Sequence, residues 1–79
     1  MEINPRLGYF YAEIDNATNM CVGVLNSSNP DQAGPTAGGT TYVSTPVYDE
    51  EYCFKYYNWD NGKFYYDPEY TEEYISPLL

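Results

Sequence analysis

Leu7 to Ile14 reads Leu-Gly-Tyr-Phe-Tyr-Ala-Glu-Ile, with Phe10, Ala12 and Ile14 alternating against Tyr9, Tyr11 and Glu13. A period of two in residues that favour extended backbone predicts a strand with one apolar and one amphipathic face. Turn formers follow in Asp15-Asn16-Ala17-Thr18-Asn19, and Met20-Cys21-Val22-Gly23-Val24-Leu25 resumes the β pattern, so the two runs should close into a hairpin. Gly23 inside the second run marks a bulge, a close approach of another backbone or an ordinary packing gap.

From Asn26 to Gly39 the pattern lapses into Ser27, Ser28, Pro30, Gly34, Pro35, Gly38 and Gly39, a composition with too little apolar area to offset its ordering entropy. This predicts a long exposed loop, expected to be mobile rather than a contact element. Thr40-Thr41-Tyr42-Val43-Ser44 predicts a short third strand, which Pro46 either limits in length or places at an edge. Asp49-Glu50-Glu51-Tyr52 suits one helical turn, because acids favour a helix N-terminus, and suits extended chain equally.

A second hairpin is expected where Cys53-Phe54-Lys55-Tyr56-Tyr57 and Lys63-Phe64-Tyr65-Tyr66 flank Asn58-Trp59-Asp60-Asn61-Gly62. Its Asn-Gly step supplies the positive φ angles of a tight turn. Cross-strand Tyr and Phe pairs would each add roughly 0.2–1 kcal/mol. Asp67 onward is acidic and proline-flanked and reads as a tail, with Tyr70 and Tyr74 spaced for one face of a helical turn that forms on docking. The expected architecture is mainly β: a small antiparallel sheet of about 4–5 strands in two hairpins, with at most one short helical turn. Residues 1–66 would form one small domain containing the mobile loop 26–39, and residues 67–79 an acidic aromatic tail.

Length changes this picture little, because 79 residues leave room for one domain with a thin core. Of the hydrophobic residues 11 are Tyr, whose hydroxyls suit half-wet surfaces, so many rings should lie on a face. Charge matters more. Twelve Asp and Glu against three Lys and Arg give −9, which disfavours direct binding to nucleic acid or anionic membrane and suits a partner with a basic surface. Simple solubility of a Tyr-rich surface explains the same charge. Eight of the twelve acids lie in Asp49 to Glu73, and their placement on one face or over all faces separates the two explanations.

No stretch has the roughly 18 apolar residues of a membrane span. Met1-Glu2-Ile3-Asn4-Pro5-Arg6 lacks a signal-peptide pattern, so cytoplasmic synthesis is expected. There Cys21 and Cys53 would stay reduced, and the sequons Asn16-Ala17-Thr18 and Asn26-Ser27-Ser28 would have no role.

The chemistry of catalysis is thin. With no histidine, the usual neutral-pH base and a common metal ligand are missing. Lys55 is the one cation placed to activate Cys53. Glu50 with Glu51 and Glu72 with Glu73 match a glycosidase pair in residue type only, since neighbours on a strand point to opposite faces. Gly38-Gly39-Thr40-Thr41 lacks the lysine of a phosphate loop. Asn58, Asp60 and Gly62 imitate a calcium loop with the glycine one position early and Glu69 in the twelfth place. No enzyme activity, cofactor or metal is therefore expected.

Tyr and Trp are enriched at protein interfaces, where they bury area at little entropic cost. Contact with a protein is the first reading of Tyr56, Tyr57, Trp59, Tyr65 and Tyr66, covering of the sheet the second and stacking on sugar the third. Glu69, Tyr70, Glu72, Glu73 and Tyr74 complete the candidate site as an acidic arm. An exposed hairpin edge could also pair with a second copy or with a partner's sheet.

Tyr9-Phe10-Tyr11-Ala12-Glu13-Ile14-Asp15 followed by Cys21-Val22-Gly23-Val24, and Tyr56-Tyr57-Asn58-Trp59-Asp60-Asn61-Gly62-Lys63-Phe64, resemble the hairpins of short proteins encoded near tail and tail-fibre genes in phages and prophages. The resemblance covers about half the chain. It implies a viral, non-enzymatic accessory protein in the host cytoplasm or the virion, acting in virion assembly or attached to a larger tail protein. A competing expectation is an acidic inhibitor that occupies the basic channel of a host defence enzyme, as several anti-CRISPR and anti-restriction proteins do.

Overall fold

The first hairpin forms where the alternation predicts it. In the computed structural model, which describes residues 8–79, β1 (Tyr9–Asp15) pairs antiparallel with β2 (Cys21–Ser27). Leu7, expected to open the first strand, and the Met1–Arg6 stretch lie outside the described residues. The turn is tied by Asn19 N–H to the Asp15 carbonyl at 2.7 Å and by Ala17 N–H to the Asp15 carboxylate at 2.9 Å. Asn19 closes it at φ +65°, a left-handed conformation that Asn tolerates better than most residues. Register slips between Glu13 and Ile14, opposite Gly23 and Cys21, so Val22 is the extra residue of a bulge beside Gly23.

Thr40–Ser44 is strand β4, with the predicted bounds, and it pairs with β1. Pro46 lies just beyond its end. The loop before it is not structureless: Gly34–Pro35 forms a two-residue strand β3 on the other side of β4, completing a sheet of order β2-β1-β4-β3. The loop also covers the outer face, where the Tyr11 hydroxyl donates to the Asn29 carbonyl at 2.9 Å and the Tyr11 side chain is buried. Its composition concealed this because the apolar partner, Tyr11, is supplied by another element.

Asp49 caps a 3-10 turn, Glu50–Tyr52, by accepting the Glu51 N–H at 2.9 Å, so the helical alternative holds for that segment. A second sheet then follows, of order β5 (Tyr56–Asn58), β6 (Lys63–Tyr65), β7 (Glu73–Tyr74). The expected mainly β, antiparallel architecture is present, but in two sheets rather than one. They are joined where Met20 bridges Tyr56 and Tyr57 N–H donates to the Asn19 carbonyl at 2.7 Å.

The predicted second hairpin is β5 and β6, and its turn falls within the expected Asn58–Gly62 segment. Gly62 alone has positive φ, +73°, and its N–H closes the turn on the Asn58 carbonyl at 2.8 Å. The alternation of side chains leaves one face of this sheet, Tyr57, Phe64 and Tyr74, directed at the core with Ala12, Ile14, Cys21 and Tyr52. Ring pairs Tyr52–Phe64, Tyr57–Phe64 and Tyr52–Tyr74, with centroids 4.4, 5.0 and 5.7 Å apart, fill it. Such pairs add about 0.5–1.5 kcal/mol each beyond area burial.

Residues 67–79, read from the sequence as a tail with a helical turn, instead return to the second sheet. Tyr66 N–H donates to the Glu72 carbonyl at 2.8 Å, and Glu73–Tyr74 pair with β6 as a strand. Tyr74 and Ser76 are buried and both hydroxyls donate to the interior carboxylate of Asp49, at 2.5 and 2.6 Å. Composition pointed to a frayed end because the partner of this segment lies 25 residues upstream of Tyr74.

Candidate interaction face

In the second sheet, register places Tyr56, Tyr65 and Glu73 side by side on the face away from the core, with Asn58 and Lys63 beyond them. The chain around it adds rings to that face. Asp67 shapes the connection from β6 to β7: its carboxylate accepts the Thr71 hydroxyl at 2.7 Å, the Thr71 N–H at 3.1 Å and the Glu72 N–H at 2.9 Å. These bonds hold the Asp67 carboxyl below its usual range, with the Thr71 hydroxyl the largest contributor. The same turn sets Tyr70 at φ +60° and brings its ring to 5.4 Å from that of Tyr65.

Asn19 then joins two elements distant in sequence. Its amide accepts the Trp59 indole N–H at 2.8 Å and donates to the Tyr70 hydroxyl at 3.2 Å. Asn61 donates to the Tyr65 hydroxyl at 2.9 Å, and Trp59 meets the Tyr57 ring edge-on at 4.8 Å. Trp59 is exposed and Tyr65 and Tyr70 are half-buried, and each of the three rings carries a hydrogen bond that fixes it. Side chains already ordered in this way lose less entropy on being covered than free ones do.

The ten residues expected from the sequence to form a site do not form one surface. Tyr56, Tyr65 and Glu73 share the outer face, Tyr70 packs on Tyr65, and Trp59, whose ring meets Tyr57, is linked to Tyr70 through Asn19. Tyr57 and Tyr74 face the core, where burial raises the hydroxyl pKa of both, joined at Tyr74 by the Asp49 charge. Tyr66 is exposed and packs edge-on against Tyr74 at 5.6 Å. Glu69 and Glu72 are exposed in the connection between β6 and β7. Asn19 was missed because a turn residue carries no mark of the indole it will bind 40 residues later.

Phe54 is the other residue that sequence reasoning passed over. Phe54 N–H donates to the Cys21 carbonyl at 2.7 Å while Cys21 N–H donates to the Lys55 carbonyl at 2.8 Å, so two residues oppose one. The first residue of this bulge type is ordinarily a left-handed glycine. Here it is Phe54, at φ +71° and 72% exposed.

Lys55 donates to the Glu51 carbonyl at 2.9 Å and lies over the Tyr66 and Tyr74 rings. The Asn58 amide oxygen is occupied by the Asp60 N–H at 2.8 Å as a turn brace. A cleft of about 170 Å³ between the end of β4 and the C-terminal segment is lined by Thr45, Tyr52, Phe64, Tyr74 and Leu79 among others. It falls below the roughly 300–1,000 Å³ of small-molecule sites.

No family model, no curated protein and no solved structure matches the chain. Among the described residues, no helix is long and apolar enough to cross a membrane.

Proposed function

We propose that this chain is a non-enzymatic binding protein, a phage or prophage accessory protein that attaches to a larger tail protein or acts in virion assembly through the outer face of its second sheet. The observation that carries the binding reading is the Asn19 bridge: one amide fixes both Trp59 and Tyr70 while leaving the indole 45% exposed. Rigid, partly exposed Trp and Tyr are the groups that dominate protein contacts. The net charge of −9 favours a basic patch on the partner and speeds encounter with it. The viral setting, in the host cytoplasm and the assembled particle, is supported by the resemblance of the two hairpins to short phage tail-region proteins.

Quantitative mass spectrometry of purified virions from the source phage, or its induced prophage, tests this. Copy numbers in fixed proportion to the major tail proteins are expected. Absence from particles, with abundance in the infected cell, would overturn the tail role.

A second reading, inhibition of a host nucleic-acid-binding defence enzyme by charge mimicry, draws on six exposed carboxylates: Glu50, Glu51, Asp60, Glu69, Glu72 and Glu73. The same segment weakens it, since Asp49 is interior and Asp67 is committed to its own loop. Neutralising Glu69, Glu72 and Glu73 together should weaken an inhibitor's binding and flatten its salt dependence. An aromatic docking face would lose affinity to Trp59→Ala instead.

A further inference from the structure

Cys21 and Cys53 are both free thiols. Cys21 is fully buried in β2, with its thiol donating to the Gly23 carbonyl at 3.2 Å. Cys53 ends the 3-10 turn, its N–H fixed on the Glu50 carbonyl at 3.1 Å, and it is half-buried. The bulge at Phe54 and Lys55 exchanges two backbone hydrogen bonds with Cys21, so the residue preceding the bulge is held beside that strand. Phe54 N–H, one peptide bond beyond Cys53, lies 2.7 Å from the Cys21 carbonyl, so the two cysteines are backbone neighbours at the seam. We propose that Cys21 and Cys53 are a dithiol modification site that reacts with a small disulfide of the glutathione class and ends as an intramolecular disulfide tying the first sheet to the second.

The order of events follows from access. Cys53, as its thiolate, attacks one sulfur of the small disulfide, forming a mixed disulfide and releasing the first small thiolate, which takes up a proton. Cys21 then gives up its proton, attacks the Cys53 sulfur and forms the Cys21–Cys53 bond, and the second small thiol leaves. Two protein thiols are oxidised to one disulfide while one small disulfide is reduced to two thiols. Cys21 is unsuited to the first attack. It is closed to solvent, and burial foremost pushes its thiol pKa up to about 12. Proximity to Cys53 compensates in the second step, which is intramolecular.

The consequence is mechanical. Lys55, Tyr56 and Tyr57 follow Cys53 directly, so a bond to Cys21 would pin the entrance of β5 at the seam of the two sheets. Cross-linking residues this far apart in sequence restricts the unfolded chain and should raise the melting temperature.

The test uses the folded full chain with oxidised glutathione, read by intact mass and by peptide mapping without reductant. The wild type is expected to lose two hydrogens and to give one linked peptide pair containing Cys21 and Cys53. Cys21→Ser should stop at a single glutathione on Cys53, and Cys53→Ser should remain unmodified while folded. A wild type that stops at a mixed disulfide, that cross-links between chains, or that forms the internal bond only in denaturant overturns the proposal. If Cys21→Ser fails to fold, trapping the mixed disulfide at early times in the wild type decides the order. Glutathione first appearing on Cys21 would refute it.

Discussion

Tyr74 donates its hydroxyl to the carboxylate of Asp49 at 2.5 Å, and through that bond the C-terminal acidic segment becomes part of the core. Asp49 is 5% exposed, and it also accepts from the Ser76 hydroxyl at 2.6 Å and the Glu51 N–H at 2.9 Å. One carboxylate therefore fastens the 3-10 turn and the last strand at once. Tyr74→Phe keeps the ring packing and removes one donor to a buried charge. Hydrogen bonds to charged groups contribute about 1.5–3 kcal/mol, so that is the stability loss expected. Chemical denaturation of the two proteins side by side measures it, and an unchanged midpoint would show the bond to be idle.

The same carboxylate sets an acid limit. Burial pushes the Asp49 pKa up, but the Ser76 and Tyr74 hydroxyls, the Glu51 N–H and the Lys55 charge together outweigh it, leaving the folded value below the ordinary 3.8. A depressed folded pKa means that the unfolded chain binds the proton first. The resulting stability is complete above the unfolded value and is lost as pH falls through the folded one. Asp67 is lowered as well and acts in the same direction. Melting temperatures should therefore be flat in this respect above about pH 5 and fall below about pH 4. In Asp49→Asn the protein should be less stable at neutral pH and its decline in acid shallower, with the Asp67 contribution remaining.

Local chemistry was legible in the sequence and long-range closure was not. Alternation in Phe10, Ala12 and Ile14 identified the first strand and its core face, and Thr40–Ser44 could be bounded by its β-branched run. Gly62 marked a turn, and the turn lies within the expected Asn58–Gly62 segment, where Asn58 braces it through Asp60 N–H. Tyr11 shows the limit. It was assigned to the amphipathic face, and it is buried there by a Ser-, Pro- and Gly-rich loop with almost no apolar signal. Half of the candidate site was legible in the same sense: β pairing put Tyr56 and Tyr65 on one face, but the sorting of Tyr57 and Tyr74 inward depended on the second sheet packing against the first.

The covering of Tyr11 gives its own expectation. Its hydroxyl bond to the Asn29 carbonyl spans 18 residues and ties the loop down ahead of the β3 pairing. In Tyr11→Phe the loop should open more often, at a stability loss of about 0.5–1.5 kcal/mol. Hydrogen exchange should quicken in the peptide spanning Asn29 to Thr36 and remain unchanged in β5 and β6. Uniform quickening over the whole chain would assign the effect to global stability instead.

Phe54 permits a prediction of opposite sign. A left-handed conformation costs an L-residue roughly 1–2 kcal/mol. Glycine escapes that cost but gives up roughly 0.5–1 kcal/mol through the greater freedom of the unfolded chain. At 72% exposure the Phe54 ring has little burial to lose, so Phe54→Gly should be more stable than the wild type by about 0.5–1 kcal/mol. For a domain of this size the melting temperature should rise by a few degrees. Phe54→Val, β-branched at the same φ, should fall below the wild type. A stabilised Phe54→Gly protein that has lost affinity for its partner would show that the ring is kept there for contact, at the expense of the fold; a destabilised one would mean that the ring packs on the chain more than its exposure implies.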